Sequence, residues 1–217
     1  MDVLKIKEEL DALYSKLNPP YGIVPEWHAP AATDNEIMAA ETRFGVTLPV
    51  ELKETFKVFS GISHESPYFM GDEFSKIKGM VKKAAGDKYA AHLEDSLVVT
   101  LISPLDEWEV PDMAKFGPHQ EYCNMLARVQ GLGRGKCQAV FYECGQDVLH
   151  DSHFVYIGSS DWETIFIDLN PAGKHFGALY NAYPSDEQDF LLIYKIADNY
   201  LDFLERLKKS LETRLKS

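Results

Sequence analysis

"TDNEIMAAETRFGVTLPVELKETFKVFSG", residues 33–61, is the stretch from which the fold can be read. Thr33 with Glu36 three residues on has the spacing of a capping box, in which each side chain satisfies a backbone N–H that the first helical turn leaves free. Ile37, Ala40 and Phe44 recur at steps of three and four, which predicts a helix to about Phe44 with one apolar side. Gly45 stands where a left-handed residue closes such a helix. Pro49 suits the first turn of a second helix, where its missing N–H costs no bond. Leu52, Phe56 and Phe59 follow at helical spacing until Gly61. Two short helices therefore meet at "GVTLP", with Leu48-Pro49 at the joint.

Outward from this pair, Val3, Ile6, Leu10, Leu13, Tyr14 and Leu17 predict an amphipathic helix over 3–17. Asn18-Pro19-Pro20 stops it, and "YGIVPEWHAP" reads as irregular. A helix is expected around Phe74, Ile77, Val81 and Ala84, then a β-like run "LVVTLI" at 97–102. "SPLDEWEVPD" follows as a loop, and residues 119–130 read equally as helix or strand. "CQAVFYE", "HFVYIG", "TIFIDL" and "HFGALYNAY" are short, aromatic and β-branched with turn residues between them, the pattern of an antiparallel sheet. Ser185 with Gln188 has capping-box spacing. Phe190, Ile193, Ala197, Tyr200, Leu204, Leu207, Leu211 and Leu215 then predict one long closing helix. The residues thus read as helices at both ends of the chain with an antiparallel sheet between them, in a single domain over 1–217.

The chain has 217 residues, 45% of them hydrophobic and 12% aromatic, enough to bury a core. Its 34 acids and 22 bases give a net charge of −12. Such a field repels nucleic acid and steers in basic proteins. "DVLKIKEEL" after Met1 lacks the basic and apolar regions of a secretory signal, and no apolar run approaches the length of a membrane span. Three cysteines, Cys123, Cys137 and Cys144, fit reduced thiols better than a disulfide framework. The expectation is a soluble cytoplasmic protein without membrane insertion.

"GLGRGKC", residues 131–137, resembles a phosphate cradle. However, a Walker loop needs its glycines and lysine between a strand and a helix, with Ser or Thr next. Here Cys137 takes that place and a β-like run follows, so a glycine-rich turn is expected instead. Cys137, Cys144, His150 and His153 could form a zinc set, but their spacing matches no common finger or ribbon. No nucleophile motif is present. Neither a cofactor nor a metal is expected, and no catalytic residue is assigned.

The acids are more informative. Asp106, Glu107, Glu109 and Asp112 surround Trp108 without a base between them, and Asp161 and Glu163 flank Trp162. A tryptophan among carboxylates suits recognition of a basic protein surface, the ring supplying buried area and the acids orientation. The competing reading packs both rings inward and leaves the acids as a solvated rim.

Two blocks resemble the SUKH superfamily, which includes the yeast cell-wall-assembly regulator and bacterial immunity proteins. The first is residues 33–61, with its capped helix, Leu48-Pro49, aromatic second helix and closing Gly61. The second is "FVYIGSSDWETIFIDLNPAGKHFGALY", in which Asp161, Asp168, Leu169, Pro171 and Gly177 are the matching positions. Residues 62–150 carry no match and would be an insertion or a diverged region. The resemblance implies an α+β fold, with a central, mostly antiparallel sheet flanked by helices and a long C-terminal helix, and a non-enzymatic role. Bacterial members neutralise toxins, often nucleases, and fungal members regulate glucan synthesis and the cell wall. It thus implies an immunity protein binding a basic toxin, with a scaffold of cell-wall synthesis as the alternative. A metal-dependent hydrolase using residues 137–153 is the alternative from another class.

Overall fold

A computed structural model describes residues 2–17, 26–27, 31–63, 67–91, 93, 96–98, 101–108, 139–141, 153–160, 163–185 and 190–216. Helix α1 spans Val3–Leu17, and β1 is Glu26–Trp27. Helices α2 (Asp34–Phe44) and α3 (Val50–Phe56) come next. Strands β2 (Ile62–Ser63) and β3 (Pro67–Met70) lead into α4 (Gly71–Ala85) and a single turn, α5 (Asp87–Ala90). Strands β4 (Ser96–Val98) and β5 (Leu101–Ile102) precede a 3-10 turn at Leu105–Glu107. Strands β6 (Ala139–Phe141), β7 (Phe154–Ser160), β8 (Glu163–Asp168), β9 (Leu179–Ser185) and β10 (Phe190–Ala197) complete the sheet, and α6 (Tyr200–Arg214) closes the chain.

The main sheet has the order β1-β2-β5-β7-β8-β9-β10-β6. Every pairing is antiparallel except that of β6, which lies parallel to β10 at the edge. A second sheet pairs β3 with β4, so the run 97–102 is divided between two sheets.

Register sorts the side chains into two layers, because residues opposite one another share a face. Ile167 lies between Val155 and Leu179, and these join the core shared with the helices. Phe166 lies between Tyr156 and Tyr180 on the other face, where Phe154 packs edge-on against Phe166 and Tyr180. Both layers are buried.

Helix α6 is the hub of the helical layer, touching α1, α3, α4 and β10. Tyr200, Phe203, Leu204, Leu207 and Leu211 are its buried stripe, and the Lys208 Nζ reaches the Glu9 carboxylate of α1 at 2.6 Å. The expected helix from Phe190 is corrected here. "FLLIYKIA" is strand β10, in which Leu192, Ile193, Tyr194, Ile196 and Ala197 are buried, and the helix starts at Tyr200 after the N-cap Asn199, whose side chain accepts from the Asp202 N–H at 2.8 Å. A continuous apolar run satisfies the helical steps and the strand alternation alike, so neighbours decide it. Ser185 accordingly ends β9 and caps no helix of the described residues.

Candidate protein-interaction site

The α2 capping box forms as read from sequence. The Glu36 N–H donates to Thr33 Oγ1 at 3.3 Å, and the Thr33 N–H donates to Glu36 Oε2 at 2.6 Å. Donation from the Thr33 backbone, then from its hydroxyl, holds the Glu36 carboxyl below the usual range. Along the same helix Glu36, Ala39, Ala40 and Arg43 follow steps of three and one, which places them on one side.

Facing this side is the 3-10 turn. Pro104 opens it by accepting from the Glu107 N–H at 3.0 Å, and the Trp108 side chain pins its far end. The indole Nε1 donates to the Ser103 carbonyl at 2.9 Å, and the ring stands edge-on to Phe56 at 5.0 Å between centroids. With 1% exposure, Trp108 belongs to the core. The expectation of an aromatic presented to a partner is therefore corrected for this residue. Apolar neighbours on α2 and α3 bury the ring, and the indole N–H finds its acceptor inside. Asp106 and Glu107 remain exposed, and among the described residues neither enters an ion pair.

Arg43 joins the two walls. Its guanidinium donates to the Asp106 carbonyl at 2.8 Å and the Leu105 carbonyl at 2.6 Å. The cation thus meets backbone carbonyls of the turn. Between the walls lies a cleft of about 430 Å³, with Ala32, Ala39, Ala40, Pro104 and Leu105 among its apolar lining and Glu36, Asp106 and Glu107 as its acids. Of the residues singled out in sequence, the structure brings Asp106 and Glu107 together here. Glu163 begins β8 opposite Ser160. Glu109, Asp112, Asp161 and Trp162 lie outside the described residues.

The remaining motif positions form a joint between the two sequence blocks. The Leu48 N–H donates to Glu41 Oε1 at 2.9 Å, and Pro49 caps α3. The buried Asp168 carboxylate accepts from the His153 N–H at 3.0 Å and the Asn170 N–H at 2.9 Å, closing the turn after β8. Leu169 is buried behind it and Pro171 lies exposed in the turn. Gly177 returns its N–H to the Asp168 carbonyl at 2.7 Å and presses its Cα side against Pro49. Gly61 is buried just before β2.

Sequence reasoning missed Glu36, Ala39 and Arg43 as cleft residues. Their shared helix side was legible, but nothing local joins it to a turn more than sixty residues away. The glycine-rich stretch 131–137 and the thiols and imidazole of Cys137, Cys144 and His150 lie outside the described residues. His153 is described and half-buried. Among the described residues no three His, Cys, Asp or Glu side chains gather as metal ligands would, and no helix is long and apolar enough to cross a membrane.

Residues 31–206, about four-fifths of the chain, match the model of the SMI1 / KNR4 family (SUKH-1). No curated protein matches the chain.

Proposed function

The chain belongs to the SMI1 / KNR4 family (SUKH-1), and from that premise we propose that it is a non-enzymatic protein-binding module, an immunity protein that neutralises a basic toxin inside the cell. The observation that carries this reading is the pair Asp106 and Glu107, exposed and outside any ion pair of the described residues, in a chain of net charge −12. Carboxylates held on a folded turn stand in for phosphates before a nuclease's basic groove. They would steer the encounter and block the groove without turnover. The same charge disfavours nucleic acid as a direct ligand.

The test is capture of partners on the tagged protein at low and high salt. Expected is one basic protein, retained at low salt and lost at high salt, whose expression alone arrests growth and whose effect is relieved by co-expressing this chain. Retention of cell-wall-synthesis proteins with no growth arrest would replace this reading with that of a regulatory scaffold. Hydrolysis that tracks a bound metal would replace it with the enzyme.

A further inference from the structure

The cleft between α2 and the 3-10 turn has a shape and a charge that go beyond a generally acidic surface. Its apolar lining is Ala32, Ala39, Ala40, Pro104 and Leu105, and the three alanines are short enough to leave space between the walls. Three acidic residues, Glu36, Asp106 and Glu107, line it against one base, Arg43. The Arg43 guanidinium is occupied by two backbone carbonyls, which it meets at 2.8 and 2.6 Å. It serves to hold the turn in place. The Glu36 carboxylate in turn accepts from the Thr33 N–H and hydroxyl. Asp106 and Glu107 are left as the cleft's acceptors for a cation from outside.

An occupant that suits both features has a flexible aliphatic stem and a positive head. The stem of lysine or arginine lies on apolar surface while its charge stays at the polar edge. An anion would meet the carboxylates, and a wholly apolar side chain would strip water from them without compensation. We infer that this cleft seats one basic side chain of the partner protein, its stem against Ala39 and Pro104 and its cation at Asp106 and Glu107. The inference rests on the protein-binding reading above and adds the chemistry of the contact.

The full-length protein, labelled with ¹⁵N, would be titrated with N-acetyl-arginine amide. N-acetyl-citrulline amide, its neutral isostere, would be the control at matched ionic strength. Expected are shifts of the Ala39, Arg43 and Asp106 amides and of the Trp108 indole N–H with the arginine probe alone. In Asp106→Asn/Glu107→Gln, with an unchanged circular dichroism spectrum, the probe's affinity should fall by about tenfold or more, the loss expected when charge-assisted contacts become neutral ones. Equal shifts with citrulline, shifts scattered over other acids, no shift at the cleft, or undiminished affinity in the double variant would each overturn the inference. Failure of the immunity reading is seen separately, in the capture and growth-relief experiment: no toxic partner sinks that reading, whereas a toxic partner that binds the double variant as tightly as the wild type removes this site and moves the immunity contact to other acids of the chain.

Discussion

Gly177 and Pro49 touch where the two motif blocks of the chain meet: a Cβ on Gly177 would lie 3.2 Å from the Pro49 Cγ. Gly177 also has φ +86°, a backbone conformation that side chains disfavour. The glycine therefore answers two demands at once, a left-handed turn after Asp168 and close approach to the start of α3.

From this contact, Gly177→Ala should destabilise the fold by about 1–3 kcal/mol, the cost of a side chain in a sparsely populated region together with the crowding. Gly45→Ala is the comparison, because Gly45 has φ +70° with nothing within 4 Å of its would-be Cβ. Its cost should stay near 1 kcal/mol. Urea unfolding of both variants checks this, and equal losses would assign the whole effect to backbone conformation.

Glu41 ties α2 to the Leu48-Pro49 joint, accepting from the Leu48 N–H at 2.9 Å and the Lys53 ammonium at 3.1 Å. Partial burial would raise its pKa, but the Leu48 N–H and Lys53 together outweigh burial and hold the carboxyl below its ordinary 4.5. Its contribution is therefore present above about pH 4.5 and lost as the pH falls through the lower folded value. Glu41→Ala should lose about 1–2 kcal/mol at neutral pH. Glu41→Gln, which keeps an acceptor for Leu48, should lose less and flatten the acid limb of the stability profile, measured as urea midpoints between pH 3 and 7.

Tyr200 lies buried among Phe56 and Phe203, and its hydroxyl has no hydrogen-bond partner among the described residues. Burial pushes its pKa well above the ordinary 10. The unfolded chain ionises this phenol first, so the native state loses stability as the pH rises above about 10. Tyr200→Phe removes a desolvated hydroxyl at nearly constant shape. It should be neutral or stabilising at pH 7 and should flatten the alkaline loss, as thermal melts at pH 7 and 10.5 would read.

Because Trp108 is core, Trp108→Ala should cost about 3–5 kcal/mol through the cavity it leaves. Asp106→Asn and Glu107→Gln, both exposed, should stay within about 0.5 kcal/mol of wild type. Chemical denaturation separates the two classes, and it shows that only the carboxylate variants report on partner binding without disturbing the fold. A buried indole also predicts a blue-shifted component of the tryptophan emission that Trp108→Phe removes.

What was legible in the chain was whatever depends on neighbours in sequence. The Thr33–Glu36 capping box, the left-handed Gly45, the helices of residues 3–17 and 71–85 and the strands around "TIFIDL" follow from periodicity and turn chemistry, which act over a few residues. The net charge and the acids at 106 and 107 could likewise be read directly. Tertiary structure decided the rest, because burial and distance are set by partners remote in the chain. "FLLIYKIA" is a strand because β9 and β6 flank it on both sides, an arrangement its own ambiguous periodicity does not specify. Trp108 turned inward because Phe44 and Phe56 offered it a buried slot, and Arg43 met a turn sixty residues away because the core brought α2 against it. Charge is a property of the residue, whereas a cleft is a property of the packing around it.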